Sequence, residues 1–145
     1  MIRNEGGFTL VEALISLAIV AVLSLISYPF IVNLHDYIRL NQVVTLFQAD
    51  LHYVRDFNMM PLKGEQRMTL RIYHNEDRYV ILIDDHVLLE RNLPGNITMP
   101  HAHHVSNLHF NRQGNLGAGR TIRVVSRSIE RRVVFSVGVG GFDVR

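Results

Sequence analysis

Residues 6–32 read Gly6-Gly7-Phe8-Thr9-Leu10-Val11-Glu12 and then Ala13–Val32, twenty residues without a charge. Glu12 is the single charge between Phe8 and Val32. At about 1.5 Å of rise per residue, a helix over Phe8–Val32 spans roughly 37 Å and can cross a hydrocarbon core of about 30 Å. A lone segment satisfies its backbone in lipid only as a helix. Leu14, Ile15, Leu17, Ile19, Val20, Val22 and Leu23 leave no polar face, which suits lipid or a packed bundle.

A cleaved secretory signal would start basic, carry a short apolar run and end on small residues. Here Arg3 is offset by Glu5, the run is long, and Ser27-Tyr28-Pro29-Phe30 follows it. The distinctive residues precede the apolar run instead. A carboxylate one turn into a membrane helix is unfavourable, by about 2.5–3.5 kcal/mol at the centre on insertion scales. Glu12 therefore asks for a partner.

Gly7-Phe8-Thr9-Leu10-Val11-Glu12, the apolar stretch and Pro29 together resemble the N-terminal signature of type IV pilins and pseudopilins. In that family a membrane aspartic peptidase cuts between the glycine and the phenylalanine, and the new N-terminal residue is methylated. The glutamate then acts in filament assembly. The resemblance implies a leader at residues 1–7, cleavage between Gly7 and Phe8, N-methylation of Phe8, Glu12 as the assembly carboxylate, and a helix kink at Pro29. It also implies partners: the prepilin peptidase, major and other minor pilins, and indirectly an assembly ATPase and platform protein. The rival reading is an uncleaved membrane anchor bearing a binding domain or enzyme.

Beyond the transmembrane and assembly helix at 8–32, the helical period continues over 33–60. Leu34, Tyr37, Ile38, Val43, Val44, Phe47, Leu51 and Val54 recur at three- and four-residue steps, and Pro61 and Gly64 end the pattern. This amphipathic stripe expects a globular part laid against it. Residues 61–145 read as that part, in antiparallel β. Met68, Leu70 and Ile72 alternate with polar neighbours, Tyr79–Ile83 is a buried strand, and Asp84-Asp85 turns into His86–Glu90. Val105–Phe110, Thr121–Ser126 and Val133–Val137 follow, with a glycine-rich turn at Gly114–Gly119. The expected fold class is α+β, a long N-terminal helix packed on a small antiparallel sheet formed as a meander. The stretches from Phe110, Thr121 and Val133 onward resemble the C-terminal sheet of minor pseudopilins. With the short leader and the absence of cysteine, the likeness is to Gram-positive competence minor pilins of the ComGD type.

Catalytic and metal chemistry find little support. The eight histidines include His101, His103, His104 and His109, but there is no cysteine, and the cluster lies in a Pro-flanked loop that reads as exposed. The glycine clusters lack phosphate-loop spacing. No enzyme, metal or cofactor is expected. Five arginines, Arg120, Arg123, Arg127, Arg131 and Arg132, fall within thirteen residues, opposed by Glu130. Strand alternation expects Arg123 and Arg127 to share a face, with Arg131 or Arg132 brought close by the next strand. The simpler use of such a patch is a solvated sheet face or a contact with a neighbouring subunit. The alternative is a phosphate backbone held without sequence reading, so DNA is a candidate partner.

The functional expectation is a minor pilin of a competence type IV pilus, assembled into an envelope filament for DNA uptake during transformation. The alternative within the class is a pseudopilin of a type II-like secretion system. Either would be a single-pass membrane protein with a cytoplasmic N-terminus, its C-terminal domain outside, and display at the cell surface once assembled.

Overall fold

A computed structural model describes residues 9–60, 66–127, 129–136 and 141–145. One helix, α1, runs over Leu10–Met59. Eight strands follow: β1 Met68–Tyr73, β2 Arg78–Ile83, β3 His86–Asn92, β4 Ile97–Thr98, β5 Val105–His109, β6 Arg120–Ser126, β7 Ile129–Phe135 and β8 Phe142–Val144. The chain divides into two units, Met1–Asp36 and Tyr37–Arg145.

The described part of the first unit is helix. Leu14, Ile15, Leu17, Val20 and Leu23 are all exposed, and none of the most apolar 18-residue stretch is buried within the chain. This helix is long and apolar enough to cross a membrane. Its serine hydroxyls are closed off locally. Ser16, Ser24 and Ser27 Oγ donate to the carbonyls of Glu12, Val20 and Leu23 at 2.7, 2.8 and 2.8 Å, so these hydroxyls do not depend on lipid for a partner. The helix continues through Pro29, whose ring has no N–H to offer the carbonyl four residues back.

In the second unit, Leu40, Val44, Phe47, Leu51 and Val54 of α1 are buried, at steps of four and three residues along one face. They join one hydrophobic core with both layers of strands, including Leu70, Ile81 and Leu108, and Val124, Val133 and Phe135. Phe47 meets the Tyr79 ring edge-on at 5.2 Å. The expected stripe is partly out of phase. Leu40 belongs to it, whereas Tyr37 and Ile38 are exposed, because this helix carries apolar residues on more than one face.

The strands form two four-stranded sheets, β3-β2-β1-β5 and β4-β6-β7-β8, in place of the single meander expected. All pairings are antiparallel. The β2–β3 hairpin closes on Asp84 and Asp85, with φ of 47° and 66°, a two-residue turn whose twist matches that of the strands. Gly114 has a φ of +76°, and a Cβ there would sit 2.7 Å from Met59 Sδ, so glycine meets both a backbone and a space requirement. β7 begins at Ile129, four residues before the expected start at Val133. Val137, the expected end, lies outside the described residues.

Candidate functional site: the helix start and the arginine face

The first turn of α1 explains why a threonine stands three residues before the glutamate. Thr9 occupies the N-cap position. Its Oγ accepts from the Glu12 N–H at 3.3 Å, and Glu12 Oε2 accepts from the Thr9 N–H at 2.9 Å and from Thr9 Oγ at 2.8 Å. This reciprocal pattern is a capping box. Helix N-termini leave N–H groups without partners and carry partial positive charge, so a carboxylate here meets a favourable field. Glu12 is held by its own helix start. Gly7 and Phe8 lie outside the described residues. The Thr-x-x-Glu spacing was the one sequence signal for this cap.

Residues 2–28 match the prokaryotic N-terminal methylation motif. That match covers the glycine–phenylalanine junction, Glu12 and most of the exposed apolar helix, so the N-terminal segment is type IV pilin-like. No curated protein and no solved structure matches the chain. The architecture of a long N-terminal apolar helix packed on antiparallel sheets agrees with a pilin-like α+β fold.

The five arginines do not form one patch. In the β6–β7 register Arg123 stands opposite Arg132, and Val124 opposite Arg131. Arg123 and Arg132 are on the outer face, while Val124 and Val133 are buried on the inner one. The row extends further than expected. Arg132 and Arg145 exchange backbone hydrogen bonds of 2.8 and 2.9 Å, so Arg123, Arg132 and Arg145 lie side by side across β6, β7 and the end of β8. Neighbouring strands are about 4.8 Å apart, which spreads the three guanidinium stems over roughly 10 Å. Glu130 pairs with Arg132 at 2.6 Å and Asp143 with Arg145 at 3.3 Å.

Three of the expected members, Arg131, Arg127 and Arg120, do not join that face. Arg131 turns inward to α1, where Nε donates to Asn41 Oδ1 and Nη2 to the Tyr37 hydroxyl, each at 3.3 Å, with the guanidinium 5.5 Å above the Tyr37 ring. The Asn41 hydrogen bond and the Arg131 charge hold the Tyr37 hydroxyl below the usual tyrosine range. Arg127 does not continue the strand alternation. β6 ends at Ser126, and Arg127 sits in the β6–β7 turn with φ of 49°. Arg120, at the start of β6, donates from Nη1 to the Asn107 carbonyl at 3.3 Å.

The histidine loop is exposed at His101, His103 and His104, as its sequence suggests. Unanticipated is the buried His74 beneath it. Nδ1 donates to the Met99 carbonyl at 2.5 Å, Nε2 meets Ser106 Oγ at 2.9 Å, and the His101 ring stacks on it at 4.9 Å. Among the described residues, no group of three or more His, Cys, Asp or Glu side chains is arranged to hold a metal.

Proposed function

We propose that this chain is a structural subunit of a type IV pilin-like filament, a minor pilin cut between Gly7 and Phe8, methylated at Phe8 and anchored in the membrane until assembly. The observation that supports this most is the methylation motif over residues 2–28, leading into a helix whose apolar side chains find no cover within the chain. A membrane covers them before assembly, and neighbouring helices cover them afterwards. The second half of α1 has an exposed apolar side as well, with Ile38 and Leu46 flanking Gln42, Thr45 and Ala49. In this reading the peptidase acts at the cytoplasmic face, the globular part lies outside, and other pilins, driven by a platform protein and ATPase, are the assembly partners.

Within that class we propose a competence pilus, with DNA as the ligand of the outer arginines. The row Arg123–Arg132–Arg145 supports this, because arginines at neighbouring positions across three strands suit a phosphate backbone. Mass spectrometry of the native protein tests the core of the proposal. A chain beginning at N-methylated Phe8 is expected, and Gly7→Trp should leave the precursor uncut in the membrane. A native chain still starting at Met1 would overturn the processing step.

A further inference from the structure

A groove of about 550 Å³ opens beside the outer edges of β5 and β6, where the two sheets leave strands unpaired. Among the described residues β5 pairs only with β1, and the two-residue β4 covers β6 only at Val125 and Ser126. The β4–β5 loop contributes His101 and His103, and the start of β6 contributes Arg120 and Thr121. None of the residues lining the groove is acidic. Among the described residues neither Arg120 nor Arg123 forms a salt bridge. Arg120 instead takes a single long hydrogen bond to the Asn107 carbonyl across the groove.

We propose that this groove is a phosphate-binding site, with Arg120, His101, His103 and the Thr121 hydroxyl as its donors. A divalent cation is disfavoured there, because the guanidinium groups repel it and no carboxylate is present to bind it. A tetrahedral oxyanion suits donors that arrive from two walls, and the Arg120 fork matches its oxygens. The phosphate is either free or part of a phosphodiester. Arg120 and the two histidines lie outside the Arg123–Arg132–Arg145 row proposed above for DNA, so the site stands apart from that reading.

The site is coupled to pH through His101. His101 Nδ1 accepts the His103 backbone N–H at 3.1 Å, which leaves the ring proton on Nε2 and the ring neutral. The charged groups that act on it are all basic: His74 stacked beneath it, His103 beside it at 5.4 Å, Arg120 in the groove and, from the outer face of β6, Arg123. Partial burial first, then the charges of these neighbours, holds His101 below the ordinary histidine range. A bound anion offsets those charges and raises it again. Phosphate binding therefore takes up a proton, and by linkage affinity rises as pH falls through the His101 titration. Protonation at Nδ1 also breaks the His103 N–H bond, so the loop changes its contacts as the anion enters.

The test uses the detergent-solubilised full-length chain with histidine-ring NMR, titrated with inorganic phosphate and, separately, with a short single-stranded oligonucleotide, whose phosphodiesters do not titrate in this range. Inorganic phosphate should move the His101 titration upward. Arg120→Gln should abolish that movement and weaken phosphate binding roughly tenfold or more at pH 6, the scale of losing a charged hydrogen bond. His101→Asn, which keeps an acceptor for the His103 N–H, should leave only the pH dependence that comes from the ionisation of phosphate itself, and Arg112→Gln should change nothing. An unmoved His101 titration, or one that still moves in Arg120→Gln, overturns the site. Oligonucleotide binding that shows the same pH and Arg120 dependence assigns the phosphate to a nucleic-acid backbone. Phosphate binding with no oligonucleotide binding at all assigns free phosphate and leaves the site standing while the DNA reading fails. Oligonucleotide binding that ignores Arg120 and His101 but is lost in Arg123→Gln and Arg132→Gln, with no inorganic phosphate effect, overturns the groove and leaves the outer arginine row in place.

Discussion

Arg123 on β6 and Arg132 on β7 occupy directly opposite positions on the outer face of their sheet, like charge against like charge. Such a pair disfavours the fold by a few tenths of a kcal/mol. Glu130 relieves Arg132, but Arg123 has no such relief among the described residues. Under the proposed DNA role the pair serves a phosphate that both arginines can share. Arg123→Gln should leave thermal stability unchanged or raised by about 0.2–0.5 kcal/mol. Under the proposed DNA role it should weaken oligonucleotide binding for all sequences alike. The slope of log affinity against log salt should become shallower by about 0.7 for each single-strand phosphate that the variant no longer neutralises. An unchanged slope would assign the row to subunit packing or solvent.

The Asp50 carboxylate on α1 ties the helix to the first sheet. It accepts from the Tyr79 hydroxyl at 2.8 Å and from Arg91 Nε at 3.3 Å, and Asp50 and Tyr79 are both buried. Tyr79→Phe keeps the ring packing on Phe47 and removes the hydroxyl, so urea denaturation should show a loss of about 1–2 kcal/mol. Asp50→Ala should destabilise more, since it leaves the buried hydroxyl without an acceptor. Burial first, then the hydrogen bond and charge of Asp50, pushes the Tyr79 hydroxyl well above the usual tyrosine range. The folded state therefore holds this proton more tightly than the unfolded chain does. Its contribution is complete below the unfolded value of about 10 and is lost as pH rises above it. The urea midpoint should fall from pH 9 to pH 11, and Tyr79→Phe should flatten that fall.

Local pattern disclosed those elements whose burial alternates cleanly. Met68, Leu70 and Ile72 are all buried as the two-residue period requires, and Asp84-Asp85 turns where two short acidic residues tolerate positive φ. The pairing of β1 with β5 was not legible, because a partner more than thirty residues away leaves no mark on either strand. β4 and β8 hold two and three residues, too few to show a period, so Arg145 went unrecognised as the third member of the row. The inward direction of Arg131 could have been read. Val133 is a core residue and Arg131 lies two positions before it, which puts both on one face. The cluster of five arginines drew attention by count, whereas register alone decides which of them meet.

Thr9 and Glu12 give the assembly role its sharpest test. A lone carboxylate in a membrane helix is unfavourable, and under the proposed assembly role the N-terminal amine of a neighbouring subunit would be the partner of Glu12. The capping box changes that starting point, because Glu12 already accepts two hydrogen bonds from Thr9. Under the proposed role the cap makes the lone subunit tolerable in lipid, and pairing with a neighbour's amine would compete with it. Two variants separate these roles. Thr9→Ala removes the hydroxyl but keeps the carboxylate, and should loosen the first turn by about 1 kcal/mol. Faster exchange of the Ala13 amide, which bonds the Thr9 carbonyl at 3.1 Å, would report it. Glu12 is then freer to pair between subunits, so filament incorporation should persist. Glu12→Ala loses the charge and the carboxylate half of the capping box, while Thr9 Oγ can still accept the backbone N–H of residue 12. It should leave membrane insertion and the Gly7–Phe8 cut intact while sharply reducing incorporation and any transport that depends on it. Incorporation is measured by quantifying the processed subunit in sheared filaments against the membrane fraction. If Thr9→Ala and Glu12→Ala reduce incorporation equally, capping accounts for the role of Glu12 and no charge between subunits is needed. If Glu12→Ala assembles as well as the wild type, the carboxylate serves only its own helix.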